Sequence, residues 1–419
     1  MKDHNTDINQ LADHLFRHES GKMTAVLTRI VGLQNLEAAQ DIVQDTLLQA
    51  MQSWRFNTIP DNPTAWLHKV ARNKAIDLVR RQKKFDAISP QYAYLLQSEY
   101  TLSPTVSTLF LDHEIQDSQL RMMFACCHPA IPEESQIALT LKTLCGLSSG
   151  EIAKAFLTNE ETISKRIYRA KEKIKTEKIG MDVPSGDELV LRLDAVLRSL
   201  YLLFNEGYNS SHPELLIRES LCEDAIRLCH LLTRQSFTHY PRVKALLALM
   251  CFQSSRLTAR LDDKGNIIVL KYQDRSKWYR PLIQKGFDYL DGAAEPYEVS
   301  PYHLEAAIAS LHAAAPSFEA TDWKKIYYLY ELLYRVQPSP VVAMNKAIAS
   351  AYSVSKRKAL EELQQIKGLE NHHLYYASIG EMYLELEEKA VAKTYFEKAY
   401  TLTVSQTEQQ LLLKKISLC

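Results

Sequence analysis

Apolar residues recur at the three- and four-residue spacing of a helix through nearly all of this chain, which commits it to helical structure. Between Ile8 and Lys84 the pattern breaks twice. Gly32 through Asn35 ends a first amphipathic segment. A second runs from about Leu36 to Trp54, with Ile42, Val43, Leu47, Leu48 and Met51 in helical register. After the loop RFNTIPDNP, Asp61 or Asn62 can cap a third helix whose first turn holds Pro63. Phe85 to Thr108, with Ser89, Pro90, Ser103 and Pro104, shows no sustained period and reads as a linker. Helices are expected over Asp112–Cys126, Glu133–Leu144, Ser149–Leu157 and Glu161–Lys178, with a break at Pro129–Pro132. Beyond GMDVPSG at 180–186 the chain is again helical to its end, except for DDKGNIIVL at 262–270, a turn with β character. Only 12 glycines in 419 residues fit an all-α fold.

A chain of this length exceeds one ordinary core, so two or three domains are expected. Within the tail, Ile379, Gly380, Tyr383, Ala392, Phe396 and Ala399 fall at the spacings of a tetratricopeptide repeat, although Val404 stands where a closing proline is usual. One repeat cannot bury its own face, so Trp323 to Ile366 is the candidate for a degenerate neighbouring pair.

Lysine plus arginine number 50 and aspartate plus glutamate 50, so bulk charge does not announce a nucleic-acid binder. The charge is unevenly placed, however. Lys165, Arg166, Arg169, Lys171, Lys173, Lys175 and Lys178 face only Glu172 and Glu177 between Thr162 and Lys178, which suggests one basic binding face. The seven cysteines form no CxxC pair and their odd count closes no disulfide framework, which points to a reduced compartment. With a polar N-terminus and no apolar stretch of membrane-spanning length, the expected location is the cytoplasm, with no membrane association. Adjacent Cys126 and Cys127 have poor geometry for one metal ion and read as packing residues at a helix end; Cys222 and Cys229, seven apart, should share one buried helix face. GxxxxGK[ST] and HExxH are missing, and Glu206 stands without a visible partner. No enzyme activity, cofactor or metal is expected.

The richest segment is ESQIALTLKTLCGLSSGEIAKAFLTNEETISKRIYRAKEKIK. Leu147 should be buried before Ser148, which can cap a short helix holding Ile152, Ala153 and Phe156. Thr158–Asn159 makes the turn. On the next helix Ile163, Ile167, Ala170 and Ile174 share the inward face, leaving Thr162, Ser164, Lys165, Arg166, Arg169 and Lys173 for base edges and phosphates. Two short helices joined by a tight turn can present one of them to a major groove.

EAAQDIVQDTLLQAMQSW followed by NPTAWLHKVARNKAIDLVRR resembles the second region of extracytoplasmic-function sigma factors, and the helix-turn-helix segment resembles their fourth region. The resemblance covers roughly residues 8–178. FACCHP at 124–129, YLLFNEGY at 201–208 and DRSKW at 274–278 further resemble a subgroup with a helical, tetratricopeptide-like extension. The resemblance implies region 2 over 1–84, a linker over 85–111, region 4 over 112–180, a helical extension over 187–300 and repeats over 301–419.

By the same resemblance, Asp41, Gln44, Asp45 and Leu48 would dock on the clamp coiled coil of RNA polymerase, whose flap is the other expected contact. Asp41, Asp45 and Leu48 do lie at i, i+4 and i+7, on one helical face. Lys69, Arg72, Asn73, Arg80 and Arg81 would read and open the promoter's minus-ten element, with Leu67, Val70, Ala71 and Leu78 turned inward. The Arg55–Asn62 loop resembles a pocket for a flipped base, on which Trp66 could stack, although Trp66 and still more Trp54 also suit a core. The partners implied are polymerase core, promoter DNA and a protein or peptide ligand of the repeats. The competing reading is a helix-turn-helix regulator with a peptide-sensing repeat domain that does not engage polymerase.

Overall fold

The computed structural model describes residues 2–56, 59–81, 95–96, 98–156, 158–210, 216–295 and 298–419. They form two compact units, residues 1–203 and 204–419. Helices dominate both, and the strand-like pairing among the described residues is one isolated antiparallel bridge, Leu261 with Ile267, inside the segment expected to turn with β character.

The first unit opens with α1 (Lys2–Val31), a 3-10 turn at Leu33–Asn35, α2 (Leu36–Phe56) and α3 (Pro63–Arg81). Gly32 takes a φ of +84° at the first break, a conformation that favours glycine, and Asn35 donates to the Val31 carbonyl at 2.8 Å. At the second break Asn62 accepts from Ala65 N–H at 2.9 Å, so of the two candidate caps the described contact belongs to Asn62. Met23, Val26 and Leu27 of α1, Ile42 and Val43 of α2 and Leu67, Ala71 and Ala75 of α3 close a common core. The buried stripe of α3 is Leu67, Ala71, Ala75 and Val79 with Ile76, while Val70 and Leu78 are only half-buried. The expected inward set therefore differs from the buried one at those two positions.

A further helix, α4 (Glu99–Leu109), stands where the sequence shows no sustained period. Leu102, Val106 and Leu109 join the same core from it, at i, i+4 and i+7. Eleven residues are too few for the period to stand out, and burial of that stripe overrides the helix-breaking tendency of Pro104 inside it. Then follow α5 (Asp112–Cys126), α6 (Glu133–Leu144), α7 (Ser149–Ala155) and α8 (Glu160–Thr176). Buried Arg29 of α1 holds Glu114 at 2.8 Å and Asp117 at 3.0 Å on α5. Close approach of α1 to α6 requires Gly21, because a Cβ there would sit 2.1 Å from the Leu144 carbonyl oxygen.

The cysteines of FACCHP pack where α5 ends, with Cys126 Sγ 3.7 Å from Thr143 Oγ1 and Cys127 Sγ 3.8 Å from Thr140 Oγ1. Burial pushes the Cys126 thiol up to about 12 and raises that of Cys127 further, so both stay protonated. The division between the units falls inside α9 (Gly186–Tyr208).

The second unit continues through α10 (Glu219–Thr233), α11 (Pro241–Ser254), α12 (Arg280–Asp291), α13 (Pro301–Ala314), α14 (Trp323–Val336), α15 (Pro340–Ser353), α16 (Lys356–Gln364), α17 (His373–Glu385), α18 (Lys389–Leu402) and α19 (Gln406–Leu418). Proline opens α11, α13 and α15, where its missing N–H costs nothing. Cys222 and Cys229 are both buried on α10. The segment DRSKW is a structural knot: Asp274 accepts from Ser276 N–H at 2.9 Å, and buried Arg275 donates to the carbonyls of His312 and Ala315 at the end of α13. Glu206 of YLLFNEGY is buried beside Ser210 at 3.1 Å and Arg218 at 3.8 Å. In the α17–α18 hairpin Gly380 lies against the Phe396 ring, which a Cβ would meet at 2.8 Å, and Ile379, Ala392 and Ala399 are buried. No helix among the described residues is long and apolar enough to cross a membrane.

Candidate nucleic-acid interface

Three surfaces of the first unit carry the residues singled out above. On α2, Ala39, Ile42, Val43, Thr46 and Ala50 point into the core, which turns Asp41, Gln44, Asp45 and Leu48 outward. Leu48 is 55% exposed and Met51, one turn further on, 58%. Two large apolar side chains therefore stand in water beside the carboxylates of this face. Asp45 has a partner in Lys74 of α3 at 3.7 Å. Sequence reasoning assigned Met51 to the helical pattern alone; its offset of three from Leu48 was the available signal.

On α3, Lys69, Asn73, Arg80 and Arg81 are exposed and Arg72 is half-exposed. Arg80 lies 4.0 Å from Asp77, whereas Lys69, Arg72 and Arg81 have no ion pair among the described residues. The Trp66 ring is half-buried, edge-on to Trp54 at 5.6 Å, with Phe16 beyond at 5.5 Å. Core packing therefore occupies part of Trp66 and leaves only its remaining face to a ligand. Of the loop before α3, residues 57–58 and the side chain of Arg55 lie outside the described residues.

The third surface is α7–turn–α8. Ser148 and Glu151 form a reciprocal cap, Glu151 N–H donating to Ser148 Oγ at 3.2 Å and Ser148 N–H to Glu151 Oε2 at 2.6 Å. Asn159 caps α8 by accepting from Thr162 N–H at 2.8 Å. Leu147, Ile152 and Ala153 are buried, as are Ile163, Ile167, Ala170 and Ile174. Ser164, Lys165, Arg169 and Lys173 are exposed, and Thr162 and Arg166 half-exposed. Arg166 is tied down by Glu134 and by the Phe156 ring, 5.7 Å away. Lys165 pairs with Glu161 at 2.7 Å and Lys173 with Glu177 at 2.9 Å. Arg169 has no ion pair among the described residues, which leaves it the freest cation of the helix.

The basic stripe is not one face. Lys171 lies 3.0 Å from Gln40 and 3.6 Å from Glu37 of α2, and Lys175 lies 3.7 Å from Glu37. Glu37 raises the Lys175 pKa first, with Glu172 adding to it. Two residues that look like part of a DNA-facing stripe therefore clasp α2 instead. In their place the structure offers Tyr168, 64% exposed between Lys165 and Arg169. An aromatic ring among cations suits a base or sugar, and its exposure was unreadable from a period that counted only charges.

Residues 15–85 match sigma-70 region 2, and residues 121–174 match sigma-70 region 4. The chain is 24% identical over 165 residues to the ECF RNA polymerase sigma factor SigE of Mycolicibacterium smegmatis, covering 39% of this chain and 60% of that protein. It is 28% identical over 162 residues to the ECF RNA polymerase sigma-E factor of Haemophilus influenzae, covering 37% of this chain and 81% of that one. The chain carries regions 2 and 4 of a sigma factor.

This sigma factor is also 36% identical over 376 residues to the uncharacterized protein R00370 of Rhizobium meliloti, covering 90% of the chain and 88% of its relative. That likeness is long enough to run through both units, so most of the C-terminal half is shared with that protein. Residues 192–294 match a family of unknown function, DUF6596. No solved structure matches the chain.

Proposed function

We propose that this protein is an extracytoplasmic-function sigma factor that docks on RNA polymerase core through Asp41, Gln44, Asp45 and Leu48. It reads the minus-ten element with α3 and an upstream element with α8, whose domain also meets the polymerase flap. The observation that carries the reading is the exposed acidic and apolar face of α2, present in one unit with a solvent-facing, capped recognition helix. A plain helix-turn-helix regulator has no use for the first of these. Binding energy for the separated promoter strand, supplied by Lys69, Arg72 and Asn73 and by a flipped base near Trp66, shifts the duplex toward the open state. The chain itself makes and breaks no bond, and it works in the cytoplasm. The second unit is a regulatory domain whose C-terminal hairpins are tetratricopeptide-like and offer a surface to a protein or peptide.

Purified protein mixed with sigma-free polymerase core should form a stable complex and direct transcripts from a subset of genomic fragments. Leu48→Glu should abolish core association while leaving the melting temperature unchanged. No core complex and no transcript from any fragment would overturn the reading.

A further inference from the structure

The helices of the DUF6596-matching segment enclose a cleft of about 510 Å³ that none of the sigma functions uses. This lies within the roughly 300–1,000 Å³ of small-molecule sites. One wall is a single face of α10, on which Glu219, Glu223, Ile226 and His230 follow one another. The other wall is Leu247, Cys251 and Ser254 of α11 with Leu282, Lys285 and Tyr289 of α12. Gly286 lets α12 approach the Phe252 ring of α11, which a Cβ would meet at 2.6 Å, so the position of this second wall is set by packing.

Charge is sorted along the cleft. Its acidic end is Glu219 and Glu223; eleven residues further along α10, about 16 Å at helical rise, stands His230. Tyr289 Oη lies 3.1 Å from His230 Nδ1. Burial, then Arg234 and Lys285, hold the His230 imidazole below its usual range, so the positive charge at this end belongs to Lys285 and to Arg227, the latter partly spent on Asp224 at 3.0 Å. Lys285 is exposed and has no ion pair among the described residues. Between the ends the lining is apolar, and the Cys251 thiol, raised to about 12 by burial, stays neutral. Ser254 is only 8% exposed, lines the cleft, and its hydroxyl has no hydrogen-bond partner among the described residues. A buried hydroxyl left without a partner costs free energy that a bound polar group would recover.

We propose that this cleft is an effector site for a small zwitterionic amphiphile. Its amine lies toward Glu219 and Glu223, its apolar body against Ile226, Leu247 and Leu282, and its anionic group toward Lys285 and the Tyr289 hydroxyl. The proposal deepens the regulatory reading of the second unit and rests on it for its consequence in transcription, but not for binding.

The test is fluorescence titration of the full chain at low salt with two probes, anilinonaphthalene sulfonate for the anionic end and dansylcadaverine for the cationic end. Both should bind. Lys285→Glu should weaken the sulfonate probe roughly fivefold and spare the amine probe, and Glu219→Lys should do the reverse. Leu282→Trp, which fills the cleft, should weaken both roughly tenfold. Because Lys285 and Glu219 are exposed, their variants carry the test even if Leu282→Trp fails to fold. Failure of the wild type to bind either probe, or affinities that ignore both charge reversals, would overturn the proposal. Transcription with polymerase core uses neither probe, so a failed sigma reading shows there and a failed effector site shows here.

Discussion

Glu19 is 2% exposed, yet its carboxylate is ionised inside region 2. Burial alone would raise its pKa; His18 at 3.1 Å, His68 at 2.7 Å and Lys22 at 2.9 Å outweigh that and hold it well below the usual carboxylate range. A depressed native pKa contributes stability that is complete above the unfolded value and fades as pH falls toward the native one. Glu19→Gln should therefore cost about 2–3 kcal/mol at pH 7, the worth of a lost charge-assisted bond. In denaturant melts the gap to wild type should narrow steadily below about pH 4.5; a gap constant down to pH 3 would show that the charge is immaterial. At the DNA surface Arg169→Ala is a cleaner probe than Arg166→Ala, because Arg166 also anchors Glu134 and Phe156. Arg169→Ala should weaken promoter binding and lower the salt slope by about 1, with core association intact. A variant with an unchanged slope would take Arg169 off the phosphate backbone.

At the scale of elements, the inward stripe of α8 could be read and α4 could not. The isoleucines of α8 recur at helical spacing and its cap, Asn159, is a preferred cap residue, so local rules and packing agree. In α4 they conflict, and packing against α3 decides. The exposure of Asp41, Gln44, Asp45 and Leu48 on α2 follows from the same spacing, since a helix that buries one stripe must expose the opposite one. Lys171 and Lys175 were not legible as clasps, because nothing local to α8 tells that Glu37 lies beside it. The α1–α6 crossing depends on a single missing side chain. Gly21→Ala places a methyl against a backbone oxygen that cannot swing aside, and should destabilise the first unit by about 1–3 kcal/mol. Faster hydrogen exchange should appear first in α6 and in the α1 turn around Gly21; uniform exchange would mean the crossing yields without cost.

For the whole molecule, the loop at 180–186 looks like a boundary in sequence, but α9 beyond it returns to the first unit. Arg192 donates to the Phe124 carbonyl at 3.3 Å and Arg198 pairs with Glu133. A fragment ending at Gly180 forfeits both contacts and uncovers the α5–α6 surface. We expect residues 1–208 to melt at least about 3 °C above residues 1–180, at roughly 2–4 °C per kcal/mol for a unit of this size. Equal melting temperatures would place the working boundary before α9.

Helix positions, inward stripes, caps and the sigma-like order of two motifs follow from residue type and spacing, because each depends on neighbours within a few positions along the chain. The splitting of the basic stripe, the closure of His68 on buried Glu19, the structural use of DRSKW and the cleft beside α10 depend on residues tens to over a hundred positions apart. Those pairings are set by which apolar faces close on one another, and only the folded chain decides that.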